Sequence, residues 1–151
     1  MSLKIEYAVT VEADPDVIWQ VFHEIERWPR WDPAALVSAR WVSGEPWAQG
    51  SRFELKVTKP MPFTLTPEIL EATPPVFVHV RGSGSGVTGE QFYIFKWDEG
   101  SRTTEMRTIQ EFSGMPILLF GDQARGPIEQ GIAHMFMEIK REAEELARGK
   151  T

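Results

Sequence analysis

Apolar and polar residues alternate with period two at the start of the chain. Ile5, Tyr7, Val9 and Val11 are separated by Lys4, Glu6, Ala8 and Thr10, which predicts a half-buried strand over residues 4–12. The period then changes. Asp14 can cap free backbone N–H groups, Pro15 suits a first helical position, and Val17, Ile18, Val21, Phe22 and Ile25 form one apolar stripe, so a helix is expected up to about Trp28-Pro29. In Arg27-Trp28-Pro29-Arg30-Trp31-Asp32-Pro33 the prolines disfavour helical geometry at the residues before them, which reads as a compact elbow with room for one helical turn. Turn-forming clusters at 43–46, 59–62, 73–75, 82–86 and 98–101 then mark off strands over 37–42, 52–58, 63–72, 76–81, 87–97 and 102–112, seven in all with the first. Helical spacing returns at the end. Pro116 starts a helix, Gly126-Pro127 is expected to kink or break it, and Ile128, Ile132, Met135, Phe136, Ile139, Ala143 and Leu146 form a stripe. The opposite face, Glu138, Lys140, Arg141, Glu142, Glu144 and Glu145, is expected to meet water, with helix-spaced pairs at Lys140/Glu144 and Arg141/Glu145.

A short helix, a middle made of strands and a long terminal helix fit an α+β arrangement in which a curved seven-stranded antiparallel sheet grips the last helix around an apolar hollow. Alternation selects the lining. Val76, Val78 and Val80 face inward, as do Gln91, Tyr93, Phe95 and Trp97 on the next strand and Met106, Thr108, Gln110 and Phe112 on the last. Phe53, Leu55, Val57, Phe63 and Leu65 complete the apolar wall, Ile132, Met135 and Phe136 face it from the helix, and Phe77, His79 and Arg81 point outward. Gln91, Tyr93, Thr108 and Gln110 are the polar members of the set. A buried amide or hydroxyl without a partner costs about 1–3 kcal/mol, so each of these either bonds a neighbouring carbonyl or meets a polar cavity.

The 151 residues, 42% hydrophobic and 25% charged, suit one domain over 1–151 with one core. No apolar run approaches the roughly 20 residues that cross a bilayer, so integral membrane association is not expected. A net charge of -6 argues against nucleic acid and anionic lipid as partners. The absence of cysteine removes disulfides, thiolate metal sites and thiol nucleophiles, and with no basic-then-apolar leader at Met1-Ser2-Leu3-Lys4-Ile5 a cytoplasmic location is expected. His23, His79 and His134 fall on three different elements, so no metal is expected, and no cofactor. Gly82-Ser83-Gly84-Ser85-Gly86 leads into a strand rather than a helix, and so reads as a hairpin tip instead of a phosphate cradle. Catalytic signals are sparse: Tyr93 is the best-placed general acid, Glu111 belongs to the solvent face, and Trp28 and Trp31 either gate a mouth or pin the elbow to the core. Oligomeric state stays open.

The segment Pro15-Asp16-Val17-Ile18-Trp19, the elbow from Ile25 to Pro33, Pro74-Pro75 before a strand, Gly89-Glu90-Gln91, and Glu111-Phe112-Ser113-Gly114 before the last helix together resemble the START-like (SRPBCC) superfamily. Within it the likeness is to the bacterial polyketide cyclase/dehydrase and lipid-transport group, along nearly the whole chain. The resemblance implies a helix-grip fold, a single START-like ligand-binding domain, and a lipid, polyketide, hormone, quinone or similar ligand. The chain departs from the family pattern near Gln91, where relatives carry a histidine, so no acid/base role is carried over to that position. The strand from Arg102 also exceeds the usual family spacing. A non-catalytic carrier or sensor of a small hydrophobic molecule is the leading expectation, a cyclase/dehydratase-like enzyme the alternative. A partner-binding module without a ligand is the third reading, and it would show a filled interior and an exposed apolar patch.

Overall fold

A computed structural model of the chain describes residues 2–32, 36–58 and 62–149. Seven strands, β1 (Ser2–Val11), β2 (Leu36–Ser43), β3 (Arg52–Val57), β4 (Phe63–Thr73), β5 (Phe77–Gly84), β6 (Val87–Asp98) and β7 (Thr103–Gly114), form one antiparallel sheet in the order β1-β7-β6-β5-β4-β3-β2. Helix α1 (Pro15–Phe22), a 3-10 turn (Ile25–Arg27) and helix α2 (Trp28–Trp31) lie between β1 and β2, and α3 (Met115–Gly149) closes the chain. This is the helix-grip arrangement that the alternation predicts. The expected elbow is present over residues 27–32, Pro33 lying outside the described residues, and the expected hairpin tip narrows to Ser85-Gly86 because 82–84 continue β5 in pairing with β6.

The Asp14 carboxylate caps α1 by accepting from the Val17 N–H at 3.1 Å. That helix is shorter than its apolar stripe suggests. It ends at Phe22, and Ile25 is buried instead in the 3-10 turn, because the chain must bend for Trp28 and Trp31 to reach the core. Conversely, α3 is longer than expected and runs unbroken through Pro127 for 35 residues. A proline inside a helix costs about 3 kcal/mol. Buried Ile117, Gly121 and Ala124 before it, and Ile132, Phe136 and Ile139 after it, hold both halves of α3 in place and outweigh that cost. At the β7–α3 junction Gly114 has φ 117°, and a Cβ there would fall 2.0 Å from the Gly86 carbonyl oxygen, so only glycine makes this turn.

α3 lies against β1, α1, β7 and α2. Two of its cations reach the free edge of β1: Arg125 donates to the Lys4 carbonyl at 3.0 Å and Lys140 to the Thr10 carbonyl at 2.8 Å. The expected ion pairs Lys140–Glu144 and Arg141–Glu145 form. The face expected in water is nevertheless partly engaged. Glu142 accepts from the Trp31 indole N–H at 2.7 Å and pairs with Arg27, whose guanidinium lies 5.2 Å from the centroid of the Trp31 ring, and Glu144 accepts from the Glu12 N–H at 2.9 Å. The elbow is thus clamped to α3 through side chains that helical spacing alone assigns to solvent.

Two inward assignments change, and one outward residue keeps its side of the sheet but gains partners. Val76 is 49% exposed because β5 begins one residue later and Val76 sits in the turn, while Leu146 is 41% exposed near the end of α3. His79 faces outward without facing open water: it stacks on Phe92 with centroids 4.1 Å apart, and its Nε2 lies 2.7 Å from Glu90.

Candidate functional site

The space between the sheet and the helices has two unlike ends. At one, Phe22 is ringed by Trp19, Trp28, Trp47, Tyr93 and Phe95, with centroids 5.0 to 5.6 Å away. Two of the three indole N–H groups of this cluster donate to backbone: Trp28 to the Phe22 carbonyl and Trp47 to the His23 carbonyl, both at 2.8 Å. Phe22, Phe95, Trp28, Tyr93 and Trp47 are all buried here.

At the other end lies a cavity of about 110 Å³. β3 contributes Leu55 and Val57, β4 contributes Phe63 and Leu65, and β6 and β7 contribute Gln91, Tyr93, Gln110 and Phe112. Pro127, Ile128, Gly131, Ile132 and Met135 of α3 close it from the helix side, and Trp28, Asp32 and Leu36 complete the wall. A Cβ on Gly131 would sit 2.6 Å from Asp32 Oδ2, so the missing side chain is what lets that carboxylate lie against the helix. A smaller apolar slot, also walled by Phe63, Phe112 and Ile128, continues under the first turns of α3 to Phe120. There Met115, Leu118, Leu119 and Phe120 are exposed, so an apolar patch coexists with the cavity.

The polar part of the wall is one connected string. Gln91 and Gln110 face each other across β6 and β7, and Gln91 Nε2 donates to Gln110 Oε1 at 3.2 Å. Gln110 Nε2 reaches Thr108 Oγ1 at 3.2 Å and the Tyr93 hydroxyl at 3.5 Å, and Thr108 donates to the Phe92 carbonyl at 2.9 Å. Gln91 Oε1 is buried without a partner. Burial pushes the Tyr93 pKa upward, so this hydroxyl keeps its proton at neutral pH.

Of the side chains singled out from sequence, Leu55, Leu65, Gln91, Tyr93, Gln110, Ile132 and Met135 come together around the cavity. Phe53, Val78, Phe95, Met106, Thr108 and Phe136 lie elsewhere, in close-packed core with at most 1% exposure. Phe136 is held there by Tyr7, in an edge contact at 5.7 Å. Trp28 both pins the elbow and lines the cavity, whereas Trp31 is drawn to Glu142; Glu111 is exposed on the outer face. Sequence reasoning missed Asp32, Leu36, Pro127 and Gly131 as lining. Asp32 falls in the elbow and Pro127 in the Gly126-Pro127 pair, but those patterns signal a bend and a helix break rather than a lining. Among the described residues no three His, Cys, Asp or Glu side chains group as a metal site, and no helix is long and apolar enough to cross a membrane.

A family model described as polyketide cyclase / dehydrase and lipid transport matches residues 2–147. No curated protein matches the chain in sequence. Among solved structures, an aromatase/cyclase from a Streptomyces species is 17% identical with TM-score 0.67, the alignment covering 98% of this chain and 94% of the other. Norcoclaurine synthase from Thalictrum flavum is 16% identical with TM-score 0.67 over 96% of each chain. A START superfamily protein from Mycobacterium smegmatis is 12% identical with TM-score 0.65 over 99% of each. At such identities the likeness shows the fold alone.

Proposed function

Because the chain belongs to the polyketide cyclase / dehydrase and lipid transport family, we propose that it works as one ligand-binding domain that holds a small hydrophobic molecule between the sheet and α3, as a carrier or sensor. The observation that supports this most is the cavity of about 110 Å³, ring-sized and walled mainly by carbon, beside a cluster of buried aromatic rings. Burying about 200–300 Å² of apolar ligand at about 25 cal/mol per Å² gives about 5–7 kcal/mol before association costs. Binding on that term alone is weak and tolerant. Native mass spectrometry of protein purified without denaturation tests the reading: a retained small molecule is expected, and protein that is always empty and takes up no apolar probe would sink it.

A second reading, a cyclase/dehydratase-like enzyme, draws on one observation. Two titratable side chains, Asp32 and Tyr93, share the cavity wall. The Streptomyces neighbour bears the name aromatase/cyclase, which adds a precedent on this fold. Against it, the raised Tyr93 pKa makes this hydroxyl a hydrogen-bond donor and a poor proton donor near pH 7. If turnover is found, Tyr93→Phe and Asp32→Asn should reduce kcat, whereas for a carrier they change affinity only.

A further inference from the structure

The direction of the hydrogen-bond string specifies what the cavity lacks. A backbone carbonyl only accepts, so Phe92 fixes Thr108 as donor, and the Thr108 oxygen is left to accept from Gln110. The Gln110 amide nitrogen therefore faces Thr108 and Tyr93, and its Oε1 faces the Gln91 nitrogen. Two loose ends remain on this wall: Gln91 Oε1, which accepts nothing, and the Tyr93 hydroxyl hydrogen, which has no acceptor among the described residues. Gln91 is 7% exposed and Tyr93 4%, so neither end is relieved by bulk water. The described lining contains no Lys, Arg or His to neutralise an anion.

Resting on the cavity's being a ligand site, we infer that the ligand is an uncharged apolar molecule carrying an N–H or O–H donor beside a carbonyl oxygen, the donor meeting Gln91 Oε1 and the carbonyl meeting the Tyr93 hydroxyl. Hydrocarbons leave both ends of the string unfilled. Carboxylates bring a charge for which the described wall has no partner, and esters offer nothing to Gln91.

Four one-ring probes separate these cases: toluene has no polar group, methyl benzoate only accepts, benzoate accepts and is charged, and benzamide donates and accepts. They are titrated into the full chain and followed by amide chemical shifts in ¹⁵N NMR. Benzamide should bind about tenfold tighter than methyl benzoate or benzoate, the scale of one well-made buried hydrogen bond. Gln91→Met, close to glutamine in shape, should bring benzamide down to the methyl benzoate level while toluene stays within about twofold. Tyr93→Phe should weaken benzamide and methyl benzoate alike. Methyl benzoate or benzoate binding as tightly as benzamide to the unmodified protein overturns the inference without any variant, and so does a benzamide advantage that survives Gln91→Met. Toluene binding without discrimination leaves the cavity reading standing and removes this one; no shift at the cavity residues with any probe removes both.

Discussion

The aromatic cluster and the cavity sit side by side on the same concave face, and they differ in the shape of what fills them. Around Phe22, five rings from α1, the elbow, the β2–β3 connection and β6 meet edge to face and tilted, an arrangement in which flat groups interlock. Around the cavity, the helix presents Gly131 and Pro127 where a larger side chain would cross the gap, and the sheet answers with Leu55, Val57 and Leu65, too short to span it. One end is built for stability and the other keeps room. The difference comes from a few side-chain sizes within a single backbone arrangement.

The largest expected effect tests the closed end. Phe22→Ala should cost about 3–5 kcal/mol in urea denaturation, as a ring is removed from a site with no slack; a loss below about 1 kcal/mol would show this end to be as loose as its neighbour. Next comes the clamp between them. Glu142→Ala leaves the Trp31 indole and the Arg27 guanidinium without their acceptor and should cost about 1.5–3 kcal/mol by the same measurement, a size that an idle surface carboxylate would not reach. At the open end, Met135→Trp should fill the cavity, change stability by no more than about 1 kcal/mol and abolish retention of any apolar probe; unchanged retention would place the binding elsewhere.

The smallest effect lies at the far end of α3. Burial pushes the Glu144 pKa up, but the Glu12 N–H and the Lys140 ammonium together outweigh it, and the net shift is downward from 4.5. A lowered carboxylate pKa stabilises the folded state above the ordinary value, and that contribution is lost as pH falls through the folded one. Melting temperatures of the native chain and Glu144→Gln should therefore differ at pH 7 and converge as pH drops below about 4.5. A gap independent of pH would assign the effect to packing.

Strand periodicity and turn chemistry carried most of the architecture, because each strand has one buried face and a period of two leaves little choice of register. The inward set Met106, Thr108, Gln110 and Phe112 is buried throughout for that reason. Which inward residues border the cavity was far less legible. Phe53 and Phe95 have the same pattern as Leu55 and Gln91, and only the position of the α1–α2 elbow decides that the first pair is covered by rings. Trp47 had no periodic signature at all: it enters the core from a loop, at φ 64°. Asp32 and Gly131 lie 99 positions apart, and their contact exists only once α3 is laid across the elbow. Local sequence patterns do not contain that information.

The cations of α3 that reach β1 have a consequence beyond fixing the helix. An outermost strand with unpaired carbonyls is a template on which a second polypeptide can add, and Arg125 and Lys140 occupy two of those carbonyls on β1. At the opposite border, β2 is irregular between Leu36 and Ser38 and again between Trp41 and Ser43, which spoils its fit to an incoming strand. Self-association by sheet extension is thereby discouraged at both margins, and loosening α3 would remove the guard from the first of them.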